Sequence, residues 1–314
     1  MELISDNMLQ EIITDTNLVW DKSSFKSTFL VDISNESINE LLDNRNKLTN
    51  FDVRLPKFQH EIMNFKRDFL LDGIGFFVIN GKCFDDFTNE ELIEIYRIIG
   101  TYLGTLYTQN IKNEKLVKIQ DEGKSMKTGG RYHQTREGGS FHTDSPQWTR
   151  VPDFIGLCCI NPAKKGGESK FVSAYKIHNE MLKTHKDYLS ILYEKFHFDK
   201  RGEFIDGESP TVFEPIFKFE KNFLKCRYLR NYIDDGHSLQ KVPLNEKQKQ
   251  ALDYLDEIIH DENNSTEYNL KKNDIVFFNN NRIIHGRTSF EDFDDSEKRR
   301  LMIRAWVKDD LSHI

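Results

Sequence analysis

No run of this 314-residue chain is apolar for long enough to cross a bilayer: Phe154 to Ile160 and Ile275 to Phe278 fall far short of the about 20 residues a spanning helix needs. Membrane insertion is therefore not expected. Positive charge is not in excess either. Forty-four basic residues face 51 acidic ones, a net charge of −7. That is the reverse of the basic footprint left by nucleic-acid binding, so no nucleic-acid partner is expected. Cysteine is scarce, and Cys83, Cys158, Cys159 and Cys226 show no zinc-finger spacing. Cys158 and Cys159 would point to opposite faces of a strand, as small apolar residues do. Internal repeats, low-complexity tracts and Pro/Gly/Ser linkers are also missing, so residues 1–314 are expected to form a single domain with residues 1–55 peripheral. The opening Met1-Glu2-Leu3-Ile4-Ser5-Asp6 has neither the basic start nor the apolar run of a secretory signal, which points to the cytoplasm. What is present, 38% hydrophobic, 30% charged and 12% aromatic residues, is enough for a sizeable globular core.

Leu55–Leu71 has helical periodicity and stops near Asp72-Gly73, after which Ile74–Ile79 reads as a buried strand. Thr88 with Glu91 forms a capping-box pattern opening a helix that runs to about Gly104. Short strand-like runs follow at Phe154–Ile160, Lys170–Ser173, Leu192–Phe198, Thr211–Phe219, Phe223–Tyr228, Ile275–Phe278 and Leu301–Val307, interrupted by helices near Ala174–His185 and Asn245–His260. Many short strands without βαβ alternation favour a sandwich or jelly roll, mainly β with added helices (α+β). Between them, residues 120–139 are glycine-rich and basic without apolar period, the composition of a loop.

Several catalytic patterns fail on inspection. Gly123-Lys124-Ser125 lacks the glycine a phosphate-binding loop needs at position 118, which is lysine, and His60-Glu61 is followed at position 64 by asparagine rather than a second histidine. A different pattern does better. Two histidines and one carboxylate on one side of an ion are the ligands of a non-haem Fe(II) oxygenase, and the local half of that set is His-x-Asp or His-x-Glu. Chance alone gives about 1.6 such pairs in this composition. The chain has five: His142/Asp144, His178/Glu180, His185/Asp187, His197/Asp199 and His260/Glu262. Residues i and i+2 share a face on a strand but diverge by about 200° on a helix. The pairs at 178, 185 and 260 are helical and read as solvated surface residues. His142/Asp144 follows Gly138-Gly139 in a short extended piece, and His197/Asp199 lies in a plausible strand and stays a rival.

Downstream, the run Asp274 to Arg287 places His285 after a buried strand and a turn, and strand alternation in Leu301–Val307 puts Arg300, Met302, Arg304 and Trp306 on one face. A solvent-facing strand would explain the arginines but would expose Trp306 and Met302. A cavity-lining face would set guanidinium forks where a carboxylate binds. These elements, with Gly166-Gly167-Glu168-Ser169, resemble the taurine dioxygenase / clavaminate synthase-like group of Fe(II)- and 2-oxoglutarate-dependent oxygenases over roughly residues 130–307.

The resemblance implies a double-stranded β-helix, a jelly-roll variant, flanked by helices. It implies His142, Asp144 and His285 as iron ligands, Arg300 paired with the distal carboxylate of 2-oxoglutarate, and Ser169 hydrogen-bonded to it. Arg304 would contact an acidic group of substrate or cosubstrate. The cofactor would be Fe(II) and the cosubstrates 2-oxoglutarate and O2, with succinate and CO2 released. Asp144 marks a hydroxylase rather than a halogenase, since family halogenases replace this carboxylate, and residues 1–82 lack the cysteines of a zinc-bearing extension. Residues 120–139 would be a lid, whose Arg131, His133 and Arg136 either contact an anionic substrate group or are solvated loop charges. Trp148, Tyr228 and Arg230 are further pocket candidates. The substrate class is a small carboxylate or amino acid, free or carrier-bound. The same centre could instead desaturate, cyclise or cleave, and a catalytically silent jelly-roll binding protein is the reading from another class.

Overall fold

The computed structural model describes residues 8–25, 28–50, 53–110, 112–124, 134–138 and 140–310. Its strands are β1 (Leu30–Val31), β2 (Phe76–Ile79), β3 (Thr105–Leu106), β4 (Leu116–Ile119), β5 (Phe154–Asn161), β6 (Lys165–Gly166), β7 (Ser169–Ser173), β8 (Lys195–Asp199), β9 (Thr211–Pro215), β10 (Phe217–Glu220), β11 (Phe223–Cys226), β12 (Ser265–Tyr268), β13 (Ile275–Asn279), β14 (Ile283–Arg287), β15 (Phe290–Glu291) and β16 (Leu301–Lys308). Its α-helices are α1 (Asn35–Asp43), α2 (Pro56–Phe65), α3 (Asn89–Leu103), α4 (Ala174–Thr184), α5 (Lys186–Leu192), α6 (Arg230–Gln240) and α7 (Glu246–His260).

A large sheet runs β1-β2-β13-β5-β16-β3, with β4 also paired to β16, and a small sheet runs β12-β7-β14. Because neighbouring side chains on a strand point to opposite faces, each large-sheet strand feeds two apolar layers. Ile275 and Phe277 of β13, Cys158 and Ile160 of β5, and Ile303, Ala305 and Val307 of β16 pack beneath α1–α3. Val276, Phe278, Ile155, Cys159, Met302 and Trp306 face the other way and meet Phe171 and Ile283 of the small sheet. A third layer, outside the small sheet, holds Val172 and Ile284 against α4, α5, α7 and the strands β8 to β11. The two adjacent cysteines thus divide between layers as alternation requires, and all four thiols are free. Trp20, Ile33, Leu41 and Leu48, from the first fifty residues, are buried in these layers.

α3 forms as its capping box directs: the Thr88 side chain accepts from Glu91 N–H and the Glu91 side chain accepts from Thr88 N–H. Its buried stripe Leu92, Ile95, Tyr96, Ile99 and Leu103 has helical spacing. Gly156 in β5 lets this helix approach, since a Cβ there would stand 2.6 Å from the Tyr96 hydroxyl and 2.5 Å from Phe277. The segment expected to be one strand from Thr211 to Phe219 is two, because Pro215 has no N–H to continue a ladder; β9 pairs with β8 and β10 with β11. The strand expected from Leu192 begins only at Lys195, as α5 occupies residues 186–192. Among the described residues no helix is long and apolar enough to cross a membrane.

Candidate metal centre

Two long-range contacts bring His142 and His285 together. An isolated antiparallel bridge joins their backbones, each N–H donating to the other's carbonyl at 2.8 Å, so the extended piece around His142 adds to the edge of β14. The rings lie with centroids 4.3 Å apart. His142 Nδ1 sits 3.1 Å from the Ser140 carbonyl, which calls for a proton on Nδ1 and leaves Nε2 as a lone-pair donor. Asp144 follows one strand repeat later, and the chain then turns at Ser145, whose φ is +58°. The turn is pinned by Asn280: its Oδ1 accepts from Asp144 N–H at 2.8 Å, and its Nδ2 donates to the Asp144 and Pro152 carbonyls at 3.0 and 3.1 Å.

Asp144 Oδ1 consequently lies 3.5 Å from His142 Nε2 and 3.7 Å from His285 Nε2. One ligand atom from each of the three residues falls within 4.8 Å of the others, and no other such group of His, Cys, Asp or Glu occurs among the described residues. These donors fit a divalent ion. An ion held about 2.1 Å from each of two atoms at right angles separates them by about 3 Å, so a small inward movement closes the set. The protonation states suit it too. Burial raises the Asp144 carboxyl, but the Arg304 charge and then His142 and His285 hold it well below the usual carboxylate range. Burial, and next the neighbouring His142, push the His285 imidazole down to about 3, keeping it neutral.

These residues open on a cavity of about 70 Å³ between the sheets, also lined by Ser169, Arg287, Arg300, Arg304 and the apolar Ile155, Leu157, Phe171, Phe278 and Met302. Arg300 is only 3% exposed and lies over the Phe290 ring at 5.2 Å. It enters from the large sheet, while Ser169 starts the small-sheet strand whose register partner is Arg287. The alternation expected for β16 therefore holds, with Arg300, Met302 and Arg304 in the cavity wall. Arg304 points at Asp144, with Nη1 at 3.2 Å from Oδ2, and its Nε donates to Gln109 at 2.8 Å.

Other sequence candidates fall elsewhere. His197 stacks on Phe213 in the β8–β9 hairpin and Asp199 accepts from Arg201 N–H, so this pair meets no third ligand. His178 is not a solvated surface residue: it is fully buried with Nε2 2.8 Å from the Tyr193 hydroxyl, because Ala174, Ile177, His178 and Met181 form the inward stripe of α4. His185 is likewise half-buried, packed between Tyr188 and Tyr254. Arg136 pairs with Asp121 outside the cavity wall; Arg131 and His133 lie outside the described residues. Tyr228 and Arg230 both bind Asp256. The residues that sequence reasoning missed are Asn280, Arg287 and Gln109, all held by contacts distant along the chain. Arg287 lines the cavity and its Nη2 donates to the Thr135 and Glu137 carbonyls.

Fold and site together define a non-haem iron oxygenase. The chain belongs to the family described as taurine catabolism dioxygenase TauD, TfdA family, whose model matches residues 44–306. It is 31% identical over 240 residues to FR-33289 synthase of Streptomyces rubellomurinus, covering 75% of this chain and 69% of that protein. Among solved structures it is similar to asparagine oxygenase in complex with Fe(II), 3-hydroxyasparagine and succinate, with a TM-score of 0.70 and 16% identity over 91% of this chain and 95% of that one. The oxygenase OrfP with Fe and alpha-ketoglutaric acid gives 0.65 at 14% identity, over 90% and 95% of the two chains. The protein is thus an Fe(II)- and 2-oxoglutarate-dependent dioxygenase, an oxidoreductase with O2 as cosubstrate. That sets aside the reading as a silent binding protein.

Proposed function

We propose that this dioxygenase hydroxylates an unactivated C–H bond of a small, amino-acid-like carboxylate, with His142, Asp144 and His285 holding the iron and Arg300 and Ser169 binding the distal carboxylate of 2-oxoglutarate. The observation that carries this reading is Asp144 Oδ1 set toward the Nε2 atoms of both histidines in a cavity that also contains Arg300. Bound there, Fe(II) supplies the oxygen chemistry that couples decarboxylation of 2-oxoglutarate to oxidation of the substrate. The chain's own part is positional. Arg300 presents a planar, permanently charged fork across the cavity from the triad, and Ser169 a hydroxyl. Ile155, Leu157, Phe171 and Phe278 keep the wall apolar, strengthening that ion pair and excluding water.

The facing sheets are the two halves of a double-stranded β-helix, and residues 1–314 act as one domain, on this reading. Arg287, by holding the Thr135 and Glu137 carbonyls, ties the described residues 134–138 to the strand that carries His285, which supports the reading of segment 120–139 as a lid. Four free thiols suit the cytoplasm. The substrate class draws support from the solved neighbours, which hold 3-hydroxyasparagine and (3S)-hydroxy-L-Arg.

The test is an anaerobic titration of metal-free protein with Fe(II), then 2-oxoglutarate, following the visible charge-transfer band, and then turnover with the common amino acids. A band in the wild type that His142→Ala abolishes, followed by succinate release coupled to a hydroxylated amino acid, is expected. Iron binding unaffected by His142→Ala would overturn the ligand set, and a desaturated or cleaved product would overturn hydroxylation.

A further inference from the structure

Asp144 has two carboxylate oxygens, and only one faces the histidines. Oδ2 turns the opposite way, accepting a hydrogen bond from Trp306 Nε1 at 2.7 Å with Arg304 Nη1 at 3.2 Å. Both donors are fixed in place. The Arg304 guanidinium lies 4.7 Å over the Trp306 ring, and Gln109, which accepts from Arg304 Nε at 2.8 Å, donates to the Lys115 and Arg304 carbonyls at 2.8 and 2.9 Å. Trp306 is 4% exposed and meets Trp148 edge to face at 5.4 Å; the Trp148 indole donates to Glu203 at 2.7 Å. A carboxylate free to turn can bind a metal through both oxygens. A two-histidine, one-carboxylate site has to keep three positions open, and so needs one oxygen only.

We infer that Trp306 is a positioning residue, whose indole N–H, backed by Arg304, engages Asp144 Oδ2 so that Oδ1 alone is offered to the metal. The inference rests on His142, Asp144 and His285 being the ligands. It gives Arg304 a part in supporting Asp144, in addition to the contact with an acidic group expected of it. A tryptophan in this role differs from one that only fills the space between the sheets, because its effect runs through a single N–H.

Trp306→Phe deletes that N–H and keeps an aromatic ring. Metal-free full-length wild type, Trp306→Phe and His142→Ala are titrated with Co(II), reading both affinity and the visible ligand-field spectrum, and their thermal midpoints are compared. Groups that orient a metal ligand typically contribute about 10–100-fold to affinity. Co(II) binding weaker by that factor in Trp306→Phe, with an altered ligand-field spectrum and a near-wild-type midpoint, is expected. Wild-type affinity and spectrum in Trp306→Phe would overturn the inference while leaving the ligand set intact. Wild-type binding in His142→Ala would instead overturn the ligand set beneath it. Should Trp306→Phe fail to fold, the wild type decides. The chain has three tryptophans, and their indole 15N–H signals can be assigned with Trp20→Phe and Trp148→Phe. The Trp306 signal is expected to resist solvent exchange and to shift on adding Zn(II), while that of Trp20, bonded to the Ile74 carbonyl, stays in place. A Trp306 signal that exchanges freely and ignores Zn(II) overturns the role.

Discussion

Along β16 the two faces of one strand have different composition and different partners. Ile303, Ala305 and Val307 meet α1–α3 in a layer built from apolar side chains, where hydrophobic transfer and close packing decide what fits. One residue out of step, Arg300, Met302, Arg304 and Trp306 face the small sheet, and three of these four carry N–H donors brought out of water. The same contrast recurs on β13, where Phe277 packs under Tyr96 while Phe278 lies 4.5 Å from the His285 ring. A layer of dispersion contacts holds the sheet rigid, and the reverse face of that rigid sheet can then carry charged and polar groups into the cavity at a cost to the fold. Changes on the helix side should cost stability with little effect on binding, and changes on the cavity side should do the opposite.

The largest effect is expected for His285→Ala. Fe(II) affinity should fall by more than about 100-fold, beyond what groups that merely orient ligands contribute, with a thermal midpoint within a few degrees of wild type; anaerobic titration and calorimetry read the two. Arg300→Ala should come next, raising the Kd for 2-oxoglutarate by about 30- to 700-fold, the equivalent of about 2–4 kcal/mol for truncating one partner of a buried ion pair, without weakening Fe(II) binding. Phe277→Ala tests the opposite face. It should cost about 3–5 kcal/mol in urea unfolding, yet the folded fraction should bind Fe(II) as wild type does. An equal loss of metal affinity in Phe277→Ala would break the comparison.

The smallest effect belongs to a histidine in neither layer. His178, under α4, is pushed by burial from 6.5 down to about 4. Between those values the unfolded chain carries a proton that the folded chain refuses. Stability from this site is therefore complete above pH 6.5 and declines as pH falls toward 4. His178→Gln, which keeps a side chain able to meet Tyr193, should remove on the order of 2–3 kcal/mol of the stability difference between pH 7 and pH 4.5 in urea titrations at the two pH values.

Much of this was legible before any coordinates. Capping, periodicity and strand alternation are local rules, so α3, β5, β13 and β16 fell within a residue or two of their expected limits, and β16 showed its arginines on one face. The family resemblance supplied His285, which no local pattern joins to His142. What was not legible depends on distance. α6 opens at Leu229 with no side-chain cap and includes Gly236, whose missing Cβ admits the His197 carbonyl of β8; both facts need the packed structure. Asn280 looked like one asparagine among three in a turn, and its contacts to Asp144 and Pro152 lie 136 and 128 residues away. His178 shows the reverse case, since its inward spacing with Ala174 and Met181 is present in the sequence, although the helical His178/Glu180 pair was expected at the surface.

The Asn280 anchor also bears on when the site comes into being. Its two hydrogen bonds to the Asp144 backbone close a loop of 136 residues, and loop-closure entropy makes such contacts late arrivals in folding. Until the segment Ile275–Arg287, whose strands β13 and β14 belong to different sheets, has docked against residue 144, the two histidines and the carboxylate are not brought together. On the proposed ligand set, iron would therefore be a late ligand of the native state. It cannot nucleate the fold, but once bound it should stabilise it by mass action and slow its unfolding.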